Sequence, residues 1–184
     1  MHLQTQIGQG KTILKSSTIH HRFSAVNCVI KKAIKDKIIT ENPLLFIQLP
    51  KMNKPKIVYL TFEELKLLVQ TDCKIPELKR AFLFSCLTGL RWSDVYKLKW
   101  EEIEQESDGS YLLVFRQLKT SEPVYLNLPD QALIYLGERQ SAIKNIFDLH
   151  NYSNTTTKYL QDWCVDAGVN KKITFHSSRH TFAA

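Results

Sequence analysis

The sequence predicts a mainly α-helical chain with one small antiparallel β-sheet, arranged as two modules joined by a basic linker. Three observations predict it. Apolar residues recur at helical spacing through most of the chain. Two turn signals, Asp108-Gly109 and Lys119–Pro123, bracket a short run of strand-like residues. Residues 50–57 carry no hydrophobic periodicity at all.

The elements follow in order. Ser17-Thr18 is a good N-cap pair for a helix expected to run to about Ile39. Within it Phe23, Val26, Ile30, Ala33 and Ile34 form one apolar stripe, and Lys31, Lys32 and Lys35 lie outside that stripe. Asn42-Pro43 ends the pattern, because a residue before proline is pushed out of the helical region. Pro50-Lys-Met-Asn-Lys-Pro55-Lys56 reads as a semi-extended, positively charged linker. A second domain starts at the capping box Thr61-Phe-Glu-Glu64, with Leu60 placed to staple onto Leu65. Pro76 suits the first turn of a helix that passes Leu78, Phe82, Leu83 and Leu87 and stops at Thr88-Gly89. A further helix is expected from Trp92 to Leu98, then strands at Tyr111–Phe115 and Val124–Leu128 around the two turns. Pro129-Asp130 opens a helix holding Leu133, Ile134 and Leu136, and another spans roughly Thr156 to Ala167 before Gly168. Ile173-Thr-Phe175 is extended, and His176 opens a last helix expected to continue to Ala184.

With 184 residues, 43% apolar and 23% charged, the chain can bury a core of its own. No run approaches the roughly 20 apolar residues of a membrane helix, and Met-His-Leu-Gln-Thr-Gln lacks the apolar stretch of a signal peptide. The four cysteines, Cys28, Cys73, Cys86 and Cys164, are widely spaced with no CxxC pair, and three sit in apolar helical contexts. That pattern fits a cytoplasmic protein in a reducing compartment. The net charge of +7 is unevenly held: residues 1–56 carry ten Lys/Arg against two acids, a net of +8, and the remainder is near neutral. A module that grips a polyanion has this asymmetry, and so does a solvated basic helix face.

Three segments place a cation or imidazole at the edge of an element. Arg91, in Thr88-Gly-Leu-Arg91-Trp-Ser-Asp94, starts a helix where backbone N–H groups point outward. Lys119 sits on the turn of the sheet. In His176-Ser-Ser-Arg179-His180, the three-residue spacing puts His176 and Arg179 on one helix face. Taken singly, each has a plain alternative: Arg91 pairs with Asp94 at i+3, Lys119 is solvated, and His176 caps a helix. The spacing of His176 and His180 also suits zinc, although no glutamate follows His176 as an HExxH site needs.

In combination and order, Thr-Gly-Leu-Arg-x-Ser-Asp, the hairpin Lys-Thr-Ser and His-x-x-Arg-His-Thr-Phe-Ala resemble the catalytic set of the tyrosine recombinases, the phage integrase family. Ala33-Ile34 with Ile38-Ile39-Thr-Glu-Asn-Pro43 resembles the end of that family's core-binding domain, and Leu60-Thr61 with Glu63-Glu64-Leu65 resembles the entry to its catalytic domain. The resemblance implies a partial helical core-binding domain over residues 1–49, a linker over 50–57, and a catalytic domain over 58–184 truncated after HxxRH and lacking its C-terminal helices.

It also implies a chemistry. A tyrosine hydroxyl attacks a DNA phosphodiester, giving a 3′-phosphotyrosyl bond and a free 5′-hydroxyl, in the integration and recombination of mobile elements. Arg91 and Arg179 match the two arginines whose bidentate forks hold the non-bridging oxygens, a geometry lysine cannot supply. Lys119 matches the general acid that protonates the leaving oxygen, and His176 the histidine that hydrogen-bonds the phosphate. Asp94 and His180 match pocket-supporting positions. One ester replaces another, so no cofactor is expected, and no metal, because arginines carry the compensating charge. Lys11, Lys15, Arg22, Lys31, Lys32, Lys35, Lys51, Lys54 and Lys56 are the candidate DNA contacts. The expected partner is double-stranded DNA, with the parent enzyme a tetramer on paired sites; no membrane or small-molecule substrate is expected.

The family's tyrosine follows HxxR, and Tyr152 and Tyr159 precede it without the right context. The chain is therefore expected to be a fragment that binds DNA without cleaving it. The competing readings are a non-catalytic DNA-binding protein of recombinase-like fold and, more distantly, a type IB topoisomerase-like protein. If the +8 segment grips phosphates, duplex affinity measured by fluorescence anisotropy falls steeply, by about 10³-fold or more between 50 and 200 mM salt for six or more contacts. Salt-independent binding contradicts the assignment.

Overall fold

The computed structural model describes residues 14–52, 56–117, 122–150 and 152–184. The chain divides into two compact units, Met1–Lys56 and Ile57–Ala184.

In the first unit the helix α1 covers Ser16–Lys35. It starts before the predicted Ser17-Thr18 cap because Lys15, with extended backbone, is already the N-cap and its carbonyl accepts from Ile19 N (3.1 Å). It ends four residues before Ile39. Lys37 takes a left-handed conformation (φ 58°), and the N–H groups of Lys37 and Ile38 return to the carbonyls of Ile34 and Ala33. That is the Schellman closure, here with lysine where glycine is usual. The predicted stripe is present on α1 and partly covered: Phe23, Ile30, Ala33 and Ile34 are half-buried, Val26 is exposed, and no residue of the helix is fully buried. After the helix, Ile39, Leu44 and Ile47 are half-buried, whereas Ile38, Leu45 and Phe46 are exposed. Asn42 Oδ1 accepts from Leu44 N (3.0 Å), an Asx turn that makes the break at Asn42-Pro43.

The second unit holds the core. Helix α2 (Phe62–Gln70) opens on the predicted capping box: Thr61 Oγ1 accepts from Glu64 N, and Glu64 Oε2 accepts from Thr61 N (2.7 Å). The same Glu64 oxygen is bonded by Lys171 Nζ (2.6 Å), which ties the domain's entry to the loop after its penultimate helix. Helix α3 (Pro76–Thr88) is the central element, buried at Leu78, Ala81, Phe82, Leu83, Phe84, Ser85 and Cys86. Gly89 closes it at φ +68°. A Cβ there would stand 2.6 Å from the Phe182 ring, so both the backbone angle and the close approach demand glycine.

The next helix, α4 (Trp92–Val95), is a single turn, shorter than the predicted Trp92–Leu98. Beyond it Lys97 and Leu98 make i→i+3 bonds instead of helical ones, and a 3₁₀ turn follows at Trp100–Glu102. The sheet is antiparallel in the order β1 (Ile103–Gln105), β2 (Tyr111–Arg116), β3 (Pro123–Leu128), with Gly109 at φ +87° in the first turn. The second predicted turn falls largely at 118–121, outside the described residues. Helix α5 (Asp130–Leu133) is one turn, after which Leu136 is buried and Ile134 exposed. Helix α6 (Asn154–Asp166) is capped by Ser153, and α7 is Ser177–Phe182, ending two residues before Ala184. The segment Ile173–Phe175 forms no strand but buries Ile173 and Phe175. Phe82, Trp163 and Phe175 meet edge to face at 5.7–5.9 Å and lock α3 against α6 and the approach to α7.

Helix α7 is fixed to α3 by hydroxyls as well as rings. Ser85 Oγ donates to Leu90 O (2.7 Å), Ser178 Oγ donates to Phe175 O (2.6 Å), and the two Oγ atoms lie 2.5 Å apart, all buried. Two hydroxyl protons serve three short contacts, so the pair shares them. Thr181 Oγ1 accepts from Leu60 N (3.0 Å) and brings the far end of α7 to the domain's first residues.

Two stability outcomes follow, both read by urea unfolding. Ser85→Ala deprives the buried Leu90 carbonyl of its donor and costs roughly 1–3 kcal/mol. Ser178→Ala costs less, about 1 kcal/mol, because Phe175 O also accepts from Ser178 N; equal costs contradict the network. For Glu64, burial is the largest influence and raises the carboxyl pKa, but the Lys171 and Thr61 bonds and the Lys171 charge together lower it. A folded value below the unfolded one stabilises above the ordinary glutamate range, and that contribution is lost as pH falls through the lowered value. Glu64→Gln therefore destabilises at pH 7 and converges with the parent at acid pH; a constant difference across pH rules the ion pair out.

Candidate functional site: a two-arginine corner

The end of α3, the start of α4, the end of β2 and the start of α7 converge on one corner of the second unit. Gly89 turns the chain out of α3, and Leu90 buries its side chain while Ser85 holds its carbonyl. Arg91, half-buried, is thereby the N-cap of α4. Its Nη1 donates to Gln117 Oε1 (2.7 Å), one residue beyond β2. Across the corner, Ser178 anchors α7 in the core, so Arg179 beside it is held half-buried.

The two guanidinium groups act on each other. Burial pushes the Arg179 pKa down, the Arg91 charge pushes it further in the same direction, and Asp94 works against both. Asp94 is 3% exposed and accepts a long bond from Ser93 Oγ (3.5 Å). The buried Asp94 carboxylate offsets part of the repulsion between the two cations.

His176 precedes the first residue of α7 as its N-cap and is exposed, without a side-chain capping bond. Its ring meets that of His180 edge to face at 4.9 Å. Among the described residues no group of three His, Cys, Asp or Glu side chains forms a metal cage, so the zinc alternative has no third ligand there. Arg91, Asp94 and Arg179 thus come together, and His176 and His180 flank Arg179 on the same short helix. Lys119 lies outside the described residues, as do Lys11 and Lys54. Lys15, Arg22, Lys31, Lys32, Lys35, Lys51 and Lys56 are all exposed on the first unit.

Sequence reasoning missed three contributors. Gln117 stands two positions before Lys119, a spacing that gives no warning of a bond to Arg91. Ser85 and Ser178 look like ordinary small helix residues, and only their burial reveals the bridge. The cysteines divide differently from expectation: Cys86 and Cys164 are buried, with the Cys164 thiol pushed up to about 12 by burial, but Cys28 is exposed on α1. Among the described residues no helix is long and apolar enough to cross a membrane.

Comparison with known proteins bears on the family and the fold. Residues 58–184 match the model of the phage integrase family. Tyrosine recombinase XerC of Chlamydia trachomatis is 27% identical over 187 aligned residues, spanning 90% of this chain and 57% of that protein. XerC of Bacillus licheniformis is 32% identical over 95 residues, half of this chain. This chain thus spans little more than half the length of the Chlamydia protein. Among solved structures, a lambda integrase dimer bound to a core site superposes with a TM-score of 0.65 at 22% identity, covering 87% of this chain and 63% of that one. The Tn1549 transposon integrase in complex with circular intermediate DNA gives 0.65 at 20% identity, covering 92% and 66%. With a family match over most of its length and the same mainly helical fold around a three-stranded sheet, the chain belongs to the phage integrase family of tyrosine recombinases.

Proposed function

We propose that this chain provides the DNA-gripping module and the phosphate-holding corner of a site-specific recombinase that breaks and rejoins DNA through a 3′-phosphotyrosyl intermediate. In this reading Arg91 and Arg179 bind the non-bridging oxygens of the scissile phosphate, where negative charge concentrates in the transition state. Lys119 protonates the leaving 5′ oxygen, and His176 hydrogen-bonds the phosphate and assists proton transfer. Asp94 and His180 support the pocket. Residues 1–49 and the 50–57 linker track the duplex through Lys11, Lys15, Arg22, Lys31, Lys32, Lys35, Lys51, Lys54 and Lys56, and residues 58–184 are the catalytic domain. The parent enzyme assembles as a tetramer on paired DNA sites. The transesterification conserves bond energy and needs no nucleotide, and the arginine pair supplies the charge that a metal would otherwise bring.

One observation carries the reading: two arginines far apart in the sequence are brought to one corner, because Ser85 bonds both the carbonyl before Arg91 and the Ser178 hydroxyl beside Arg179. Holding like charges together opposes folding, and a phosphate between them converts the repulsion into a shared attraction. The test has two arms. For the 184-residue chain on a short duplex, Arg91→Ala and Arg179→Ala each weaken binding by about tenfold, roughly 1.4 kcal/mol. In a longer chain that carries the family's tyrosine, each lowers covalent capture of a nicked duplex by about 10²–10³-fold. Unchanged affinity removes the phosphate corner; weakened affinity with no capture by the parent protein leaves a DNA-binding module without catalysis.

A further inference from the structure

The side chain of Gln117 ties the end of β2 to the helical side of the corner. It stands just beyond β2, where its backbone N donates to Glu122 O (3.0 Å), the last described rung of the hairpin before the segment that carries Lys119. Its Oε1 accepts from Arg91 Nη1 at 2.7 Å, from a residue 26 positions away on the helical side. Both residues are half-buried, so the bond is shielded from full competition with water.

The chemistry of the acceptor matters as much as its place. A carboxylate in this position would bind the guanidinium at the same atom and more strongly, but would cancel its charge. An amide oxygen fixes one N–H of Arg91, restricts rotation of the fork, and leaves its full positive charge and remaining donors for an anion. Asp94 already lies buried at this corner, so a second carboxylate would tip it toward neutrality. We propose that Gln117 is a positioning residue: it orients Arg91 toward a DNA phosphate without neutralising it. This inference rests on the proposed phosphate-binding role of Arg91.

The test follows inorganic phosphate binding to the 184-residue chain by the NMR signal of the Arg91 Nε–Hε group, with melting temperature as the control for folding. Gln117→Ala is expected to weaken phosphate binding about three- to tenfold. Gln117→Glu is expected to weaken it by at least about tenfold near neutral pH. That second loss should recover as the pH drops and the introduced carboxyl becomes neutral, a response that a packing role would not produce. For phosphate binding to the Arg91→Ala chain, followed by the Arg179 signal, a further Gln117→Ala change should add nothing. Gln117 variants that bind phosphate like the parent overturn the inference while leaving the corner intact, and so does a Gln117→Ala loss that persists without Arg91. If the parent chain shows no phosphate response and Arg91→Ala changes nothing, the functional reading itself fails and takes this inference with it.

Discussion

The contact between Ser85 of α3 and Ser178 of α7 is the constraint on which the corner depends. Each serine neighbours one of the two arginine-bearing segments: Ser85 grips the carbonyl immediately before Arg91, and Ser178 immediately precedes Arg179. Helix α7 is only six residues long, too short to be stable by itself, so its orientation comes from what it touches. Hydroxyls at this interface do what leucines would not. They tie helix to helix by directed bonds, which set the rotation of α7 as well as its distance from α3.

Around that link the domain is reinforced in the same spirit. Phe182 lies over Gly89, Thr181 meets Leu60, and Phe175 packs into the Phe82–Trp163 cluster while also meeting Trp92 of α4 at 4.7 Å. Helix α7 and the residue leading into it therefore touch the domain's start, the end of α3 and the core. Two cations can be held side by side only by a scaffold this over-determined, because their repulsion works continuously to splay the elements apart.

The first unit is built on the opposite principle. Its helix α1 buries no residue fully, its cations are exposed, and an i,i+4 pair between Lys32 and Asp36 (3.3 Å) is the kind of surface contact that contributes little. Charge density, not packing, is its distinguishing property. The two units divide along that line: exposed charge in the first, a packed apolar core in the second.

Much of this was legible in the residues. Thr61–Glu64, Pro76 and Gly89 declare helix boundaries through short-range chemistry that tertiary context seldom overrides, and the structure has all three. The order of Arg91, the hairpin lysine and His176–Arg179 identified the family from local motifs. What the chain could not declare locally came out differently. Helix α1 stops at Lys35 because a left-handed lysine closes it, a conformation that composition does not announce. Helix α4 shortens to one turn, and β1 went unread because three residues give too short an alternation to stand out. The Ser85–Ser178 bridge, the Gln117–Arg91 bond and the approach of Arg179 to Arg91 exist only because the fold brings together residues 26 to 93 positions apart. Sequence by itself determined which side chains are available and where helices begin, since propensity and capping act within a few residues. Only the tertiary structure decided which of them share a site, because that depends on how buried faces pack.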